Sequence, residues 1–238
     1  MCASPRTTIL PAVLAFLLPY GSASAQSGTQ AKRPLVEINT SVGRMVVALY
    51  NETPVHRDNF LKLAREHYYD STLFHRVIPG FVVQAGDPTS RRANDRHMVL
   101  GRGGPGYTLP SEVLPQFVHT RGALGAAGDP DAQTTEGRTN GSQFYIVQGS
   151  PWSPSDLRIQ EQRMDEQDPA HPHQHTPEQV RAYATKGGTP HLDGDYTVFG
   201  EVVDGLDVLD RICSIPTDGT DRPLEDVRIW MRVLPMTP

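Results

Sequence analysis

The stretch that most constrains the fold runs from Leu73 to Asp87, with the sequence LFHRVIPGFVVQAGD. It is apolar on both sides of Pro79-Gly80, a pair that favours a tight turn. Proline presets the first central turn position, and glycine accepts positive φ at the second. Two short strands joined by this turn are therefore predicted. Arg76 and Gln84 interrupt the apolar strands, so these two side chains either face solvent or line a site.

Three blocks of the sequence, in this order, resemble the cyclophilin family of peptidyl-prolyl isomerases. They are FHRVIPGFVVQAGD at 74–87, TNGSQFYI at 139–146 and HLDGDYTVFGEV at 191–202. The resemblance covers about residues 35 to 234 apart from insertions. It implies a mainly β fold, in which two helices cap a closed antiparallel barrel of eight strands. It also implies an enzyme that isomerises Xaa-Pro peptide bonds.

Local patterns between the blocks predict the other elements. Strands are expected at 35–39, 44–50, 122–127, 143–147 and 227–234. Thr53-Pro54 opens a helix, because threonine can accept hydrogen bonds from the free amides and proline suits the first helical position. Asp204 is expected to cap the last helix, and residues 88–111 form a long loop.

Residues 150–189 do not fit such a barrel. Ser155 to Gln167 is a charged helix candidate, and Thr176 to Gln179 has the spacing of a capping box. A helical insertion on the surface is predicted, either handling protein substrates or tolerated without a function. Between the helices, His171, His173 and His175 alternate, so they could converge on a metal ion. A polar linker is the favoured interpretation, and no metal is assigned.

The first 25 residues have the pattern of a secretory signal peptide. Arg6 precedes an apolar run from Ile9 to Leu18, and Ala23-Ser24-Ala25 supplies a cleavage site. The apolar run is too short for a membrane span. Residues 26–33 are a polar, flexible leader before one domain at 34–238. This organisation predicts export across the inner membrane to the periplasm.

The net charge and the cysteine content indicate which binding partners are excluded and how the domain is stabilised. The formal charge is −5, and cleavage after residue 25 makes it −6 because Arg6 is lost without any acid. An acidic chain without a basic run argues against nucleic acid as a partner. Cys213 is the only cysteine after the leader, so a core rather than a disulfide stabilises the domain. We expect a monomer acting on proline-containing peptides and unfolded exported proteins.

Rotation about a prolyl bond needs no acid, base, nucleophile or metal. Amide resonance sets a barrier of about 18–20 kcal/mol. An ordinary enzymatic rate requires roughly five factors of ten, or about 7 kcal/mol of stabilisation. An apolar slot for the ring, donors for the backbone and a cation near the prolyl nitrogen can supply it. No cofactor and no covalent intermediate are therefore expected.

The resemblance assigns such roles to particular residues. Arg76, Phe81 and Gln84 match the family's catalytic residues, with the arginine at the prolyl bond. Gln84 and Gln143 match amides that orient the arginine and the substrate backbone. The positions matched to substrate binding are Val82, Ala127, Gly128, Gln143, Tyr145, His191, Leu192 and Tyr196.

Strand alternation and a few departures refine this set. On the strand from Gln143, alternation sends Tyr145 to the cleft and Phe144 to the core. Tyr145 stands where the family more usually has phenylalanine, and His191 where it often has tryptophan. A peptide-binding module with little turnover is the alternative function, which the presence of Arg76 disfavours. A serine hydrolase is excluded, because no Gly-x-Ser-x-Gly elbow surrounds Ser142.

Overall fold

The computed structural model describes residues 1, 32–128, 137–170 and 172–235. Within them, ten strands form one antiparallel sheet in the order β3-β10-β1-β2-β9-β7-β8-β5-β4, with β6 paired to β8. The strand bounds are β1 Leu35–Thr40, β2 Gly43–Leu49, β3 Thr72–Leu73, β4 Arg76–Ile78, β5 Val82–Ala85, β6 Thr108–Pro110, β7 Ala123–Gly128, β8 Arg138–Val147, β9 Val198–Asp204 and β10 Arg228–Val233. The helix bounds are α1 Pro54–Arg65, α2 Pro154–Gln167, α3 Pro177–Lys186 and α4 Leu206–Cys213.

The fold is mainly β, as expected, but the sheet curls without closing, so the expected closed eight-stranded barrel is not confirmed. Its end strands, β3 and β4, follow one another in the chain with only Phe74 and His75 between them. They are not hydrogen-bonded to each other: Phe74 N–H donates to Val227 O at 2.9 Å, and Val77 N–H donates to Asp221 O at 2.8 Å. In the described part of the chain, β3 thus pairs with β10, and Val77 of β4 bonds to the segment at Asp221.

The main core lies on the inner face of the curled sheet. Phe144 and Ile146 of β8 belong to it, whereas Tyr145 and Val147 belong to a second cluster on the opposite face. This alternation agrees with the prediction for Phe144. Helices α1 and α4 cover the core with the apolar residues Phe60, Leu61, Leu63, Val208, Leu209 and Ile212.

Both predicted helix caps differ from the structure. Thr53 precedes α1, but its hydroxyl makes no cap hydrogen bond and is buried without a partner. Glu112 accepts instead from the N–H groups of Val55 and His56, at 3.0 and 2.9 Å. Asp204 ends β9 and pairs with Arg44 at 2.7 Å, so Gly205 occupies the cap of α4. A distant carboxylate therefore outcompetes the local hydroxyl at α1.

The insertion contains the expected helices α2 and α3. Thr176 starts α3 with the predicted capping box, in which its side chain and that of Gln179 each accept a backbone N–H. Leu157, Met164 and Tyr183 are buried, so the insertion packs closely against the domain along one edge. None of the helices in the described part of the chain is long and apolar enough to cross a membrane.

Candidate active site

The hairpin of β4 and β5 positions Arg76 and Gln84 side by side. Arg76 pairs with Gln84 in the strand register, and Ile78 pairs with Val82 across the turn. Gly80 has φ 75°, as the predicted turn requires. The Arg76 side chain is 41% exposed, and its Nε lies 3.4 Å from Asp221 Oδ2. Among the described residues, this half-exposed carboxylate is the one ion-pair partner of Arg76, so the guanidinium can turn toward a ligand.

Several residues that the sequence assigns to the proline pocket form an apolar cluster on the face of the sheet opposite to the main core. The second hydrophobic cluster brings together Val82, Ala127, Tyr145, Phe81, Leu192 and Tyr196. The ring of His191 stacks on Phe81 with centroids 5.3 Å apart, and Tyr196 meets Tyr145 at 82°. Gly128 lies at the rim, where a Cβ would be 3.7 Å from the Tyr196 ring. Five of the residues matched to substrate binding thus share one cluster, and His191 and Gly128 lie next to it.

A chain of amides connects the pocket to the long loop. Gln84 Nε2 donates to Gln143 Oε1 at 2.9 Å. Gln143 Nε2 donates to the carbonyls of Gly101 and Gly103, at 2.9 and 2.7 Å. Both amide hydrogens of Gln143 are therefore used within the protein, so Gln143 anchors the loop. Gln84 bonds to Gln143 rather than to Arg76, which differs from the orienting contact expected from the resemblance.

The loop and the hairpin enclose a second space next to Arg76. A cavity of about 620 Å³ is lined by Arg76, Gln84, Met98, Gly101 and Thr220, among others. His75, which lies at its inner wall, is buried, and burial lowers the pKa of His75 to about 4. His75 is consequently neutral near pH 7, whereas Arg76, Arg96 and Arg222 line the cavity with permanent positive charge.

Tyr145 forms the floor of the pocket and is held at its hydroxyl. Its ring is 5% exposed, and Oη lies 2.7 Å from Nε2 of His119. Burial raises the pKa of Tyr145 well above its usual value. Gly125 makes room for this ring, because a Cβ at that position would lie 2.3 Å from Tyr145 Cζ. The hydroxyl that the sequence places in the cleft is thus bonded within the protein.

Sequence reasoning did not identify His119 and Asp193 as supports of the site. His119 is completely buried and contacts Asp193, 74 residues away, through its backbone N–H and Nδ1. The available signal was an acid placed directly after Leu192 in the third sequence block.

The proposed histidine metal site can be compared only in part, since His171 lies outside the described residues. His173 N–H donates to Asp165 at 2.6 Å, and His175 Nδ1 lies 2.8 Å from Glu161. No group of three metal-ligating side chains with suitable geometry occurs in the part of the chain that the structure describes.

Comparison with known proteins bears on these features. The family model of cyclophilin type peptidyl-prolyl cis-trans isomerase/CLD matches residues 35–232. A peptidyl-prolyl cis-trans isomerase of Schizosaccharomyces pombe is 35% identical over 198 residues, which cover 82% of this chain and 94% of that protein. A putative bifunctional phosphatase/peptidyl-prolyl cis-trans isomerase of Streptococcus pyogenes is 39% identical over 204 residues, which cover 82% of this chain but only 37% of that protein.

Solved structures agree with the sequence matches. A crystal structure of a Cryptosporidium parvum cyclophilin type peptidyl-prolyl cis-trans isomerase has a TM-score of 0.61 and 25% identity, covering 86% of this chain and 99% of that chain. A structure of the same protein in the presence of the dipeptide Ala-Pro has a TM-score of 0.59 and 25% identity, covering 85% and 99%. The family model spans most of this chain, which therefore belongs to the cyclophilin-type peptidyl-prolyl cis-trans isomerases and is an enzyme of that class.

Proposed function

We propose that this isomerase rotates Xaa-Pro bonds with Arg76 as the catalytic cation and with no covalent intermediate. The observation that carries the proposal is a half-exposed guanidinium on the same hairpin that supplies Val82 to the outer apolar cluster. A twisted prolyl bond loses its resonance, so the nitrogen gains a localised lone pair. Arg76 can donate to that lone pair, and its charge is permanent.

The other candidate residues hold the substrate in this proposal. Val82, Leu192 and the Phe81 ring form apolar walls for the pyrrolidine, which burial favours by about 25 cal/mol per Å². Gln84 is partly exposed and has one amide hydrogen not donated to Gln143, so it can bond to substrate backbone. The remaining rim positions Ala127, Gly128, His191 and Tyr196 set which neighbouring residues are accepted.

We further propose that the substrates are exported polypeptides, with the enzyme acting as a monomer in the periplasm. The support is the sequence pattern of residues 1–25, which combines a basic start, an apolar run and a small-residue cleavage site. Residues 26–33 would then form a leader ahead of the domain at 34–238. Both the signal peptide and the leader lie outside the described residues, apart from residues 1, 32 and 33.

Two experiments test these proposals separately. A protease-coupled assay on a proline tetrapeptide should show turnover, whereas binding without turnover would favour a peptide-binding module. Expression of the full chain in a diderm bacterium should yield a periplasmic protein whose N-terminus, determined by sequencing, is Gln26. Recovery of the uncleaved chain in the cytoplasm would contradict the export proposal and leave the catalytic one intact.

A further inference from the structure

A buried carboxylate lies directly behind the pocket wall. Asp193 follows Leu192, and its side chain is 9% exposed. Its Oδ1 accepts from the backbone N–H of His119 at 2.8 Å and lies 2.7 Å from His119 Nδ1. Its Oδ2 accepts from the Tyr183 hydroxyl at 2.5 Å and lies 2.8 Å from His175 Nε2. Four donors therefore meet one carboxylate, which offsets the cost of burying its charge.

The same contacts continue in both directions. On the pocket side, His119 Nε2 lies 2.7 Å from the hydroxyl of Tyr145. On the insertion side, His175 Nδ1 lies 2.8 Å from Oε1 of Glu161 in α2. Glu161, His175, Asp193, His119 and Tyr145 thus form an unbroken polar relay, from the insertion to the pocket floor.

Hydrogen-bond chemistry fixes the direction of each link. When Nδ1–H of His119 donates to Asp193, Nε2 is free to accept from the Tyr145 hydroxyl. His175 lies between two carboxylates, so it needs protons on both ring nitrogens. Burial opposes this charge, but hydrogen bonds to Asp193 and Glu161 outweigh it and raise the pKa of His175. Every member of the relay is then satisfied, which is the condition under which a buried network rigidifies its surroundings.

Two unusual features of this chain meet in the relay. Tyr145 supplies a hydroxyl where the cyclophilins more usually have phenylalanine, and Gly125 leaves the space for its ring. The insertion supplies His175 and Tyr183, both of which bond to the same oxygen of Asp193. Neither feature alone would connect the insertion to the pocket. Together they place the ends of the connection on opposite sides of Asp193.

We propose that His175 and Tyr183 of the insertion are positioning residues for prolyl isomerisation, acting through Asp193 and His119 on the Tyr145 hydroxyl. The insertion is then part of the pocket's support rather than a separate surface element. This inference rests on the proposed function of the cleft. When His175 or Tyr183 is removed, Oδ2 of Asp193 loses a donor and the carboxylate is held less firmly. His119 can then shift, and the Tyr145 ring that it holds can move out of the position that binds proline.

A double-mutant cycle on a proline tetrapeptide tests the coupling. Tyr183→Phe deletes one hydroxyl in the insertion, and Tyr145→Phe deletes the hydroxyl at the pocket end. Each single variant should lower kcat/KM by roughly three- to tenfold, mainly through a higher KM, because a looser pocket binds the ring less well. The double variant should be no worse than the poorer single variant. Multiplied effects, or a Tyr183→Phe variant with wild-type KM, would overturn the proposal.

Nitrogen NMR of the histidines supplies a readout that a purely structural role would not move. In the wild type, His119 should show a protonated Nδ1 and a hydrogen-bonded, unprotonated Nε2. Tyr183→Phe and His175→Gln should each shift the Nε2 resonance of His119, although both lie on the far side of Asp193. An unchanged His119 spectrum in folded variants would refute the relay. His175→Gln serves as the second probe should Tyr183→Phe fold poorly.

Arg181→Ala is the matched control in the insertion. Arg181 forms an exposed pair with Glu178 on α3 at 2.7 Å and touches no relay member in the described structure. Its removal should leave kcat/KM within twofold of wild type and the His119 spectrum unchanged. Failure of the proposed function is recognised separately, since it would appear as absent wild-type turnover. Failure of the relay would leave wild-type turnover intact and the cycle additive.

Discussion

Replacement of Gln143 by leucine should destabilise the protein and impair its activity together. Gln143 is 2% exposed and makes three side-chain hydrogen bonds, to Gly101, Gly103 and Gln84. Each contributes about 0.5–1.5 kcal/mol net, so the expected loss is about 3 kcal/mol. In a domain of this size, that corresponds to a fall in Tm of roughly 6–12 °C. Gln143→Glu keeps an acceptor for Gln84 but faces two carbonyls with a carboxylate, so it should be equally destabilising at neutral pH.

The loss of activity should follow from the loop rather than from global unfolding. Without Gln143, the segment at Gly101 is released from β8, and the cavity beside Arg76 loses its shape. We expect kcat/KM on a proline tetrapeptide to fall at least tenfold, about 1.4 kcal/mol, under conditions where urea titration shows the variant folded. Gln162→Leu, at an exposed position of α2, is the matched control and should stay within about 0.5 kcal/mol of wild type. A Gln143→Leu variant with wild-type stability and turnover would refute the anchoring role.

Three further predictions concern the cap, acid stability and the pocket floor. Glu112→Ala should lower the free energy of unfolding by about 1–3 kcal/mol in urea titrations, because two N–H groups of α1 and Nδ1 of His56 lose their acceptor. Thr53→Val should leave the free energy of unfolding unchanged, since its hydroxyl has no hydrogen-bond partner. Equal losses in both variants would show that Thr53 caps the helix after all. Burial opposes ionisation of Asp193, but hydrogen bonds from His119 and His175 hold its pKa at about 2, below its ordinary value of 3.8. The ionised carboxylate therefore stabilises the folded protein by about 2 kcal/mol at any pH above 3.8. This contribution disappears as the pH falls from 3.8 toward 2. In Asp193→Asn, the free energy of unfolding should no longer fall by this amount between pH 3.8 and 2. The same pH dependence in the variant and the wild type would contradict the assigned role of Asp193. Gly125→Ala should displace the Tyr145 ring and lower tetrapeptide kcat/KM by roughly tenfold or more, since the added Cβ would lie 2.3 Å from Cζ; a crystal structure with an unmoved ring would contradict this.

Features set by neighbouring residues could be predicted from the sequence. The turn at Pro79-Gly80 follows from the φ preferences of two adjacent residues, and the structure has it. The opposite faces of Phe144 and Tyr145 follow from strand alternation alone. The capping box at Thr176 is likewise a local pattern. In each case the physical cause lies within a few residues of its effect.

Features set by distant partners could not be predicted in this way. Glu112 caps α1 from 57 residues away at Val55, and no local pattern identifies which carboxylate will reach a free amide. Closure of the sheet depends on whether β3 and β4 pair with each other, and competing segments take their backbone groups. The link between the insertion and Tyr145 needs contacts over 74 and 18 residues, at His119 and His175 respectively.

The role of Arg76 is the central claim, and exchange NMR on a proline tetrapeptide tests it most directly. The side chain is 41% exposed and, among the described residues, pairs only with Asp221, so its removal should leave the fold intact. Arg76→Ala should lower the catalysed cis-trans exchange rate ten- to a hundredfold, about 1.4–2.7 kcal/mol of barrier. Arg76→Lys should also be impaired, because a point charge lacks the planar fork of donors. Exchange at the wild-type rate in a folded Arg76→Ala variant would contradict the mechanism.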